Sequence, residues 1–317
     1  MWRSIARAQL PASCGSLAIG RAAPILLASA PYRSLHLANP PPVDRTAKAL
    51  RARVTLWRGS GAKVALVPTM GALHPGHLAL VQEAKKRAGK VVVSIFVNPT
   101  QFAPSEDFAS YPREEAADLA KLAGLADAVF APSVAEMYPD GATTSITVNG
   151  PAQDLEALSR PHFFAGVATV VAKLLQAALP DIAVFGEKDY QQLLVVRRMV
   201  ADLGFPVEIV GVPTMREPDG LAMSSRNAYL SPGDRAKAPR LYAALMAAAE
   251  AIRYGSSPDV ALAGAQSKLS AVGFRVDYVK LRNAETLAPV KHVDKEPKRL
   301  LAAVWLGKTR LIDNIPV

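Results

Sequence analysis

His74 and His77 stand three residues apart around Gly76, at the end of the run V-A-L-V-P-T-M-G-A-L-H-P-G-H at 64–77. An apolar stretch closes at Pro68, a loop with Gly71 follows, and 78–87 then has amphipathic helical spacing. Strand, glycine loop and helix start together present backbone N–H groups and a positive helix end, which suits a phosphate. Two imidazoles placed there add donors that can follow charge as it develops. As a bare pair the histidines also suit a metal, but no third ligand lies nearby in the sequence.

Three further polar stretches carry chemistry. N-P-T-Q-F at 98–102 follows an apolar run, and an amide such as Gln101 can donate to a carboxylate or hydroxyl without adding charge. F-G-E-K-D-Y-Q-Q at 185–192 ends a strand and opens a helix. There Gly186 permits close backbone approach and Lys188 is a point charge suited to phosphates. Asp189 is either a helix cap or an acceptor for a ribose hydroxyl, and Gln192 falls on a neighbouring face of the first turn. M-S-S-R-N at 223–227 offers two hydroxyls and a guanidinium that can close over a triphosphate, or simply a capped loop.

These stretches need elements to position them. Helical spacing marks 44–59, 78–88, 113–125, 166–179 and 190–203; strand patterns mark 63–68, 91–97, 128–131, 144–148, 182–185 and 207–212, with a turn at 138–141. The run 91–97 is rich in β-branched residues, the mark of a strand buried on both faces. Such alternation predicts an open parallel α/β sheet with right-handed crossovers, whose polar loops after the strands meet in one crevice. From about residue 215 the pattern changes to long helices over 232–254 and 258–272. Antiparallel strands follow at 275–281, 300–306 and 309–313, with Gly307-Lys308 as a hairpin turn. The expected division is 1–43 as an extension, 44–214 as the α/β part and 215–317 as a smaller α+β part.

The 317 residues carry a net charge of +10, half are hydrophobic, and 25 prolines and 20 glycines are spread along the chain as turns. Basic balance can mean nucleic acid or an acidic small substrate. The absence of a dense Lys/Arg block interleaved with aromatics favours the small phosphate-bearing substrate over nucleic acid. No run of eighteen apolar residues supports a membrane span. The single cysteine, Cys14, excludes an intrachain disulfide and a cysteine metal cluster. Residues 1–43 hold Arg3, Arg7, Arg21 and Arg33, five serines and no acid, which reads as a mitochondrial or plastid transit peptide, with a mitochondrial matrix destination expected and a cytoplasmic one as the alternative.

Taken together, P-T-M-G-A-L-H-P-G-H, N-P-T-Q-F, Y-P-R, F-G-E-K-D-Y-Q-Q-L and G-L-A-M-S-S-R-N resemble the signatures of the pantoate–β-alanine ligase family, in the family's order. The family belongs to the nucleotidylyl-transferase superfamily, so the resemblance implies a Rossmann-like sheet followed by a smaller α+β domain. It also implies ATP-dependent joining of (R)-pantoate to β-alanine through a pantoyl adenylate, with Mg²⁺ accompanying ATP, and a homodimer. Carried onto this sequence, Met70, Gly71, Ala72, Leu73, His74, Pro75, Gly76 and His77 line the ATP site, with His77 the proton donor and His74 on the phosphates. Gly186, Glu187, Lys188 and Asp189 also meet ATP, Lys188 with a catalytic part on the phosphates. Met215 meets the adenine, and Met223, Ser224, Ser225 and Arg226 close over the phosphates. Gln101 holds pantoate and lies by β-alanine, Gln192 holds pantoate, and Asp118 stands where an acid near the metal is expected.

One departure matters. Where the family reads R-P-x-H-F-x-G-V, this chain has Arg160-Pro161-His162-Phe163-Phe164-Ala165-Gly166-Val167, with the histidine one place early. Weaker substrate binding or lower turnover than in the usual order is expected. An adenylyl or cytidylyl transferase of the same superfamily is the alternative activity, though it has no need of Gln101 and Gln192. A dehydrogenase is disfavoured because no G-x-G-x-x-G opens a helix after a strand.

Overall fold

Apolar strands and helices alternate as far as residue 212, and each strand is pinned by parallel neighbours. The computed structural model describes residues 39–103, 108–109, 111–290 and 296–317. Residues 1–38, with Cys14 and most of the transit peptide expected over 1–43, lie outside them. In the first sheet, β1 (Val43–Asp44), β2 (Val64–Thr69), β3 (Lys90–Ile95), β4 (Ala128–Phe130), β5 (Ile182–Gly186) and β6 (Glu208–Val212) lie in the order β1-β4-β3-β2-β5-β6. Every pairing is parallel. Helices α1 (Ala47–Gly59), α2 (Pro75–Arg87), α3 (Glu115–Leu122), α4 (Val134–Met137), α5 (Glu156–Ser159), α6 (Phe163–Ala178) and α7 (Tyr190–Leu203) connect them. Their apolar sides bury the sheet: Leu66, Val92 and Phe130 sit in one layer with α6, and Val67, Val93 and Val129 face α2 in another.

From β2 the chain steps outward through β3 and β4, then crosses by α6 to β5 on the other side of β2. The direction of travel therefore switches between β2 and β5, where loops leaving the strand ends part and leave a crevice. The histidine loop follows β2 and the 186–189 turn follows β5, so both histidines and Lys188 meet at that switch.

Beyond residue 212 come α8 (Pro232–Lys237), α9 (Arg240–Arg253) and α10 (Pro258–Ala271), then an antiparallel sheet β7-β8-β9. Its strands are β7 (Arg275–Asn283), β8 (Lys298–Leu306) and β9 (Thr309–Pro316), the last two joined at Gly307 with φ +57°. Leu245, Leu269, Leu300 and Val304 form the core between helices and sheet.

The structure corrects several sequence expectations. Residues 144–148 are not a strand; the segment crosses α6 and the Ile146 N–H donates to the Thr169 hydroxyl at 2.9 Å, so its alternation reflects one-sided packing. The helix expected over 232–254 is two, because Pro239 lacks the N–H needed to continue α8. Helix α1 starts at Ala47, capped by Thr46, whose side chain accepts the Ala49 N–H at 3.2 Å, and Asp44 belongs to a two-residue strand instead. Helix α2 starts at Pro75, so His74 is its cap and His77 lies in its first turn.

Candidate active site

The histidine loop is shaped by its backbone. It reverses through left-handed conformations at Gly71 (φ +82°) and Ala72 (φ +49°), then enters α2 at Pro75. The backbone N–H of His74 donates to Nδ1 of His77 at 3.3 Å, and the two rings lie 4.0 Å apart. An Nδ1 that accepts leaves the proton of a neutral imidazole on Nε2, so His77 presents an N–H donor. Gly76 permits this stacking, since a Cβ there would lie 2.8 Å from His74 Cε1.

Both imidazoles are held neutral. Burial, with the Lys188 and Lys121 charges adding to it, lowers His74 to about 4. Burial, with His74, Lys188 and Lys121 adding to it, lowers His77 to about 3. His74 Nδ1 is buried against Gly76, on the side of the ring that faces the start of α2.

A crevice of about 680 Å³ opens over this corner. Met70, His74, Gly76, His77, Gly186, Lys188, Asp189, Met215, Met223, Ser224, Ser225 and Arg226 line it, and so do Gln101 and Gln192. The sequence-derived positions thus gather in one place from five separate segments. Gly71, Ala72, Leu73, Pro75 and Glu187 are not on its wall: Leu73 is core, and Glu187 turns to Arg299 at 2.8 Å.

Asp118 also lies off the crevice. Its carboxylate accepts the Leu73 N–H at 2.8 Å, Lys121 stands 3.6 Å away, and the side chain is 1% exposed. It braces the back of the histidine loop. Among the described residues no group of three or more His, Cys, Asp or Glu side chains is arranged to hold a metal.

Gln101 is fixed by its neighbours. Its Nε2 donates to Met70 Sδ at 2.9 Å, and its Oε1 accepts from Asn98 Nδ2 at 3.2 Å. Asn98 is in turn tied to the Gly166 carbonyl at 3.1 Å, and its Oδ1 accepts from the Tyr138 hydroxyl at 2.8 Å. The Arg160 guanidinium donates to the Gln101 carbonyl at 3.1 Å. Gly166 is what lets α6 come this close: a Cβ there would lie 2.5 Å from the Thr100 carbonyl oxygen and 2.9 Å from the Gln101 nitrogen. Gln191 and Gln192 both line the crevice, and the Gln191 amide is occupied by backbone groups of 151–156.

The His162-Phe163 departure is visible here. His162 is exposed at the start of α6, while Phe163 lines the crevice under the Arg160 guanidinium, 3.9 Å from its ring centre. Arg160, within the R-P-x-H-F pattern, and Tyr138, at the start of the 138–141 turn, carry contacts that those local patterns do not disclose, because the partners are 59 and 40 residues away.

A parallel α/β sheet with phosphate-directed groups at its switch point defines a nucleotide-binding enzyme of the α/β class. The family model for pantoate-beta-alanine ligase matches residues 43–316, and the chain belongs to that family, whose members are ligases making pantothenate. A pantothenate synthetase from Rhodopseudomonas palustris (strain BisA53) is 56% identical over 283 residues, covering 89% of this chain and all of that protein. One from Hyphomonas neptunium is 54% identical, over 88% of this chain and 97% of that protein. The crystal structure of pantothenate synthetase from Thermus thermophilus superposes with a TM-score of 0.81 at 50% identity, over 86% of this chain and 98% of that one. That of the Francisella tularensis ligase, complexed with β,γ-ATP and β-alanine, has a TM-score of 0.71 at 35% identity, over 87% and 97%.

Proposed function

We propose that the crevice joins (R)-pantoate to β-alanine in two ATP-driven steps. A pantoate carboxylate oxygen attacks the α-phosphorus of ATP, the bond to the bridging oxygen breaks, and pyrophosphate leaves. The β-alanine amine then attacks the acyl carbon of the pantoyl adenylate, the C–O bond breaks, and AMP leaves with that oxygen while the nitrogen sheds its proton.

The observation that carries this reading is the set of groups gathered on one crevice wall. Neutral histidines and Lys188 line it together with the uncharged amides of Gln101 and Gln192. His77 Nε2–H follows the charge that develops on the α-phosphate and departing pyrophosphate, with His74 beside it on the phosphates. Lys188 adds a fixed positive charge, Asp189 accepts from the ribose, and Met215 meets the adenine through its backbone. Residues 223–226 close over the triphosphate. Gln101 and Gln192 hold the pantoate hydroxyls and carboxylate, and Gln101 lies beside the amine. An adenylyl or cytidylyl transferase acting on a phosphorylated substrate has no need of the two amides Gln101 and Gln192.

Mg²⁺ would arrive on ATP, whose phosphate oxygens supply most of its ligands. This fits a crevice that offers Asp189 but, among the described residues, no cluster of carboxylates. Asp118 is left out of that role because its oxygens face the Leu73 N–H and Lys121. The α/β part to residue 214 carries the substrates, and 215–317 carries the closing loop. The chain assembles as a homodimer, which sedimentation would detect. The part of 1–43 that precedes the family match acts as a mitochondrial leader, a reading supported by its four arginines and lack of acids. A fluorescent fusion of 1–43 that stayed outside mitochondria would end it.

The function is tested by product analysis. AMP, pyrophosphate and pantothenate are expected only when ATP, D-pantoate and β-alanine are all present. ATP consumed equally well without pantoate would end the assignment.

A further inference from the structure

The two segments read as ATP-binding, 186–189 and 215–226, are far apart in sequence, yet both are anchored to neighbouring residues of β9. Asn314 donates from its one amide nitrogen to the carbonyls of Glu187 and Lys188, each at 2.9 Å. Its Oδ1 accepts from Arg299 Nε at 2.7 Å, and Arg299 reaches on to the Glu187 carboxylate at 2.8 Å. Asp313, the residue before, takes both arms of Arg216 at 2.7 and 2.9 Å.

Arg216 sits at the root of the second segment. It is bridged to Ala222, and the Met223 N–H donates to the Met215 carbonyl at 2.9 Å. Arg216 also donates to the Gly220 carbonyl and stacks 3.7 Å from the Tyr242 ring centre. The Asn314 N–H closes the unit by donating to the Asp313 carboxylate at 2.7 Å. Asp313 and Asn314 are each 3% exposed. Asp313 is a buried charge held by both arms of the partly exposed Arg216, and breaking such a pair leaves an uncompensated buried charge.

We propose that Asp313 and Asn314 are positioning residues that clamp both ATP-facing segments to one strand, so that the two close on the nucleotide together. Neither need touch substrate; Asn314 acts through the Lys188 backbone and Asp313 through Arg216. The proposal rests on the reading that these segments bind ATP.

The test combines hydrogen exchange at saturating non-hydrolysable ATP analogue with steady-state kinetics on the full chain. In the native protein the analogue protects 186–189 and 215–226 alike. In Asp313→Asn and in Arg216→Gln, protection of 215–226 is expected to fall by about fivefold or more, the lower end of ordinary coupling, while 186–189 keeps its protection. In Asn314→Asp, which keeps the shape and the acceptor for Arg299 but turns an oxygen toward two carbonyls, the 186–189 segment loses protection. KM for ATP rises in all three and KM for β-alanine stays within about twofold, the scatter of an uncoupled site. Full protection of both segments in the variants, or equal rises in the two KM values, would overturn the proposal. Should Asn314→Asp fail to fold, Arg216→Gln decides, since it cuts the same clamp from the loop side. Lys188→Met separates the two readings. An unchanged KM for ATP there defeats the ATP site itself, whereas a raised KM with no effect of the β9 variants defeats the clamp alone.

Discussion

The backbone N–H of His74 points at Nδ1 of His77 from 3.3 Å, so the helix entry itself determines which nitrogen of His77 carries its proton. In the proposed reaction that Nε2–H is the donor for charge on the α-phosphate. Removing it with His77→Ala is expected to slow pantoate-dependent pyrophosphate release by about 10²–10³-fold, the usual loss for one preorganised donor. His77→Gln, which restores an amide donor, should recover part of it. Single-turnover quench kinetics would read both, and an unimpaired His77→Ala would refute the role.

Both histidines have depressed midpoints, and the sign of the pH effect follows. Well above the free imidazole midpoint of 6.5 the imidazoles are neutral whether the chain is folded or not. Below it the unfolded chain takes up protons that the folded chain refuses, down to about 4 for His74 and about 3 for His77. Stability is therefore complete above that pH and falls as the pH drops, with a slope from His77 below the roughly 1.4 kcal/mol per pH unit of a fully displaced group. Urea midpoints at about pH 7 and about pH 5, on either side of the free imidazole's midpoint, check this. The difference should shrink in His77→Gln, and an unaltered difference would contradict it.

Gly166 sets the approach of α6 to the Gln101 loop, and the opposing atoms are backbone that cannot swing aside. Gly166→Ala is expected to displace Gln101 and raise KM for pantoate by about tenfold or more, in line with overpacking costs of about 1–3 kcal/mol. KM for ATP should change less. Steady-state kinetics with each substrate varied in turn would show the split, and equal effects on both would argue against a specific link.

The double variant His162→Phe, Phe163→His puts an imidazole on the crevice wall and removes the ring beneath Arg160. A several-fold gain in kcat/KM for pantoate is expected, about 1 kcal/mol for a recovered polar contact. Identical kinetics would show that the order of these two residues carries no function.

Much of this architecture is legible in the sequence because it is local. The apolar runs of β2, β3 and β5 and the turns that follow them stand in unbroken segments, and the strand–loop–helix units at 64–87 and 182–203 place two of the polar stretches at one switch point. Residues 144–148 misled because alternation is also produced by lying across α6, without a sheet partner. The two-residue β1 is too short to show a period. Least legible are the long-range supports. Asp313, Asn314, Arg160 and Tyr138 have ordinary surroundings in the chain, and only folding brings in partners 97, 127, 59 and 40 residues away. Asp118 shows the converse, an acid expected beside a metal that instead accepts the backbone N–H of Leu73.

The central claim, that this crevice activates pantoate as an adenylate, is tested most directly by oxygen transfer. Pantoate labelled with ¹⁸O in its carboxylate is turned over with ATP and β-alanine, and the AMP is analysed by mass spectrometry. One labelled oxygen in each AMP, with none in pyrophosphate, is the predicted result; AMP free of label would contradict it.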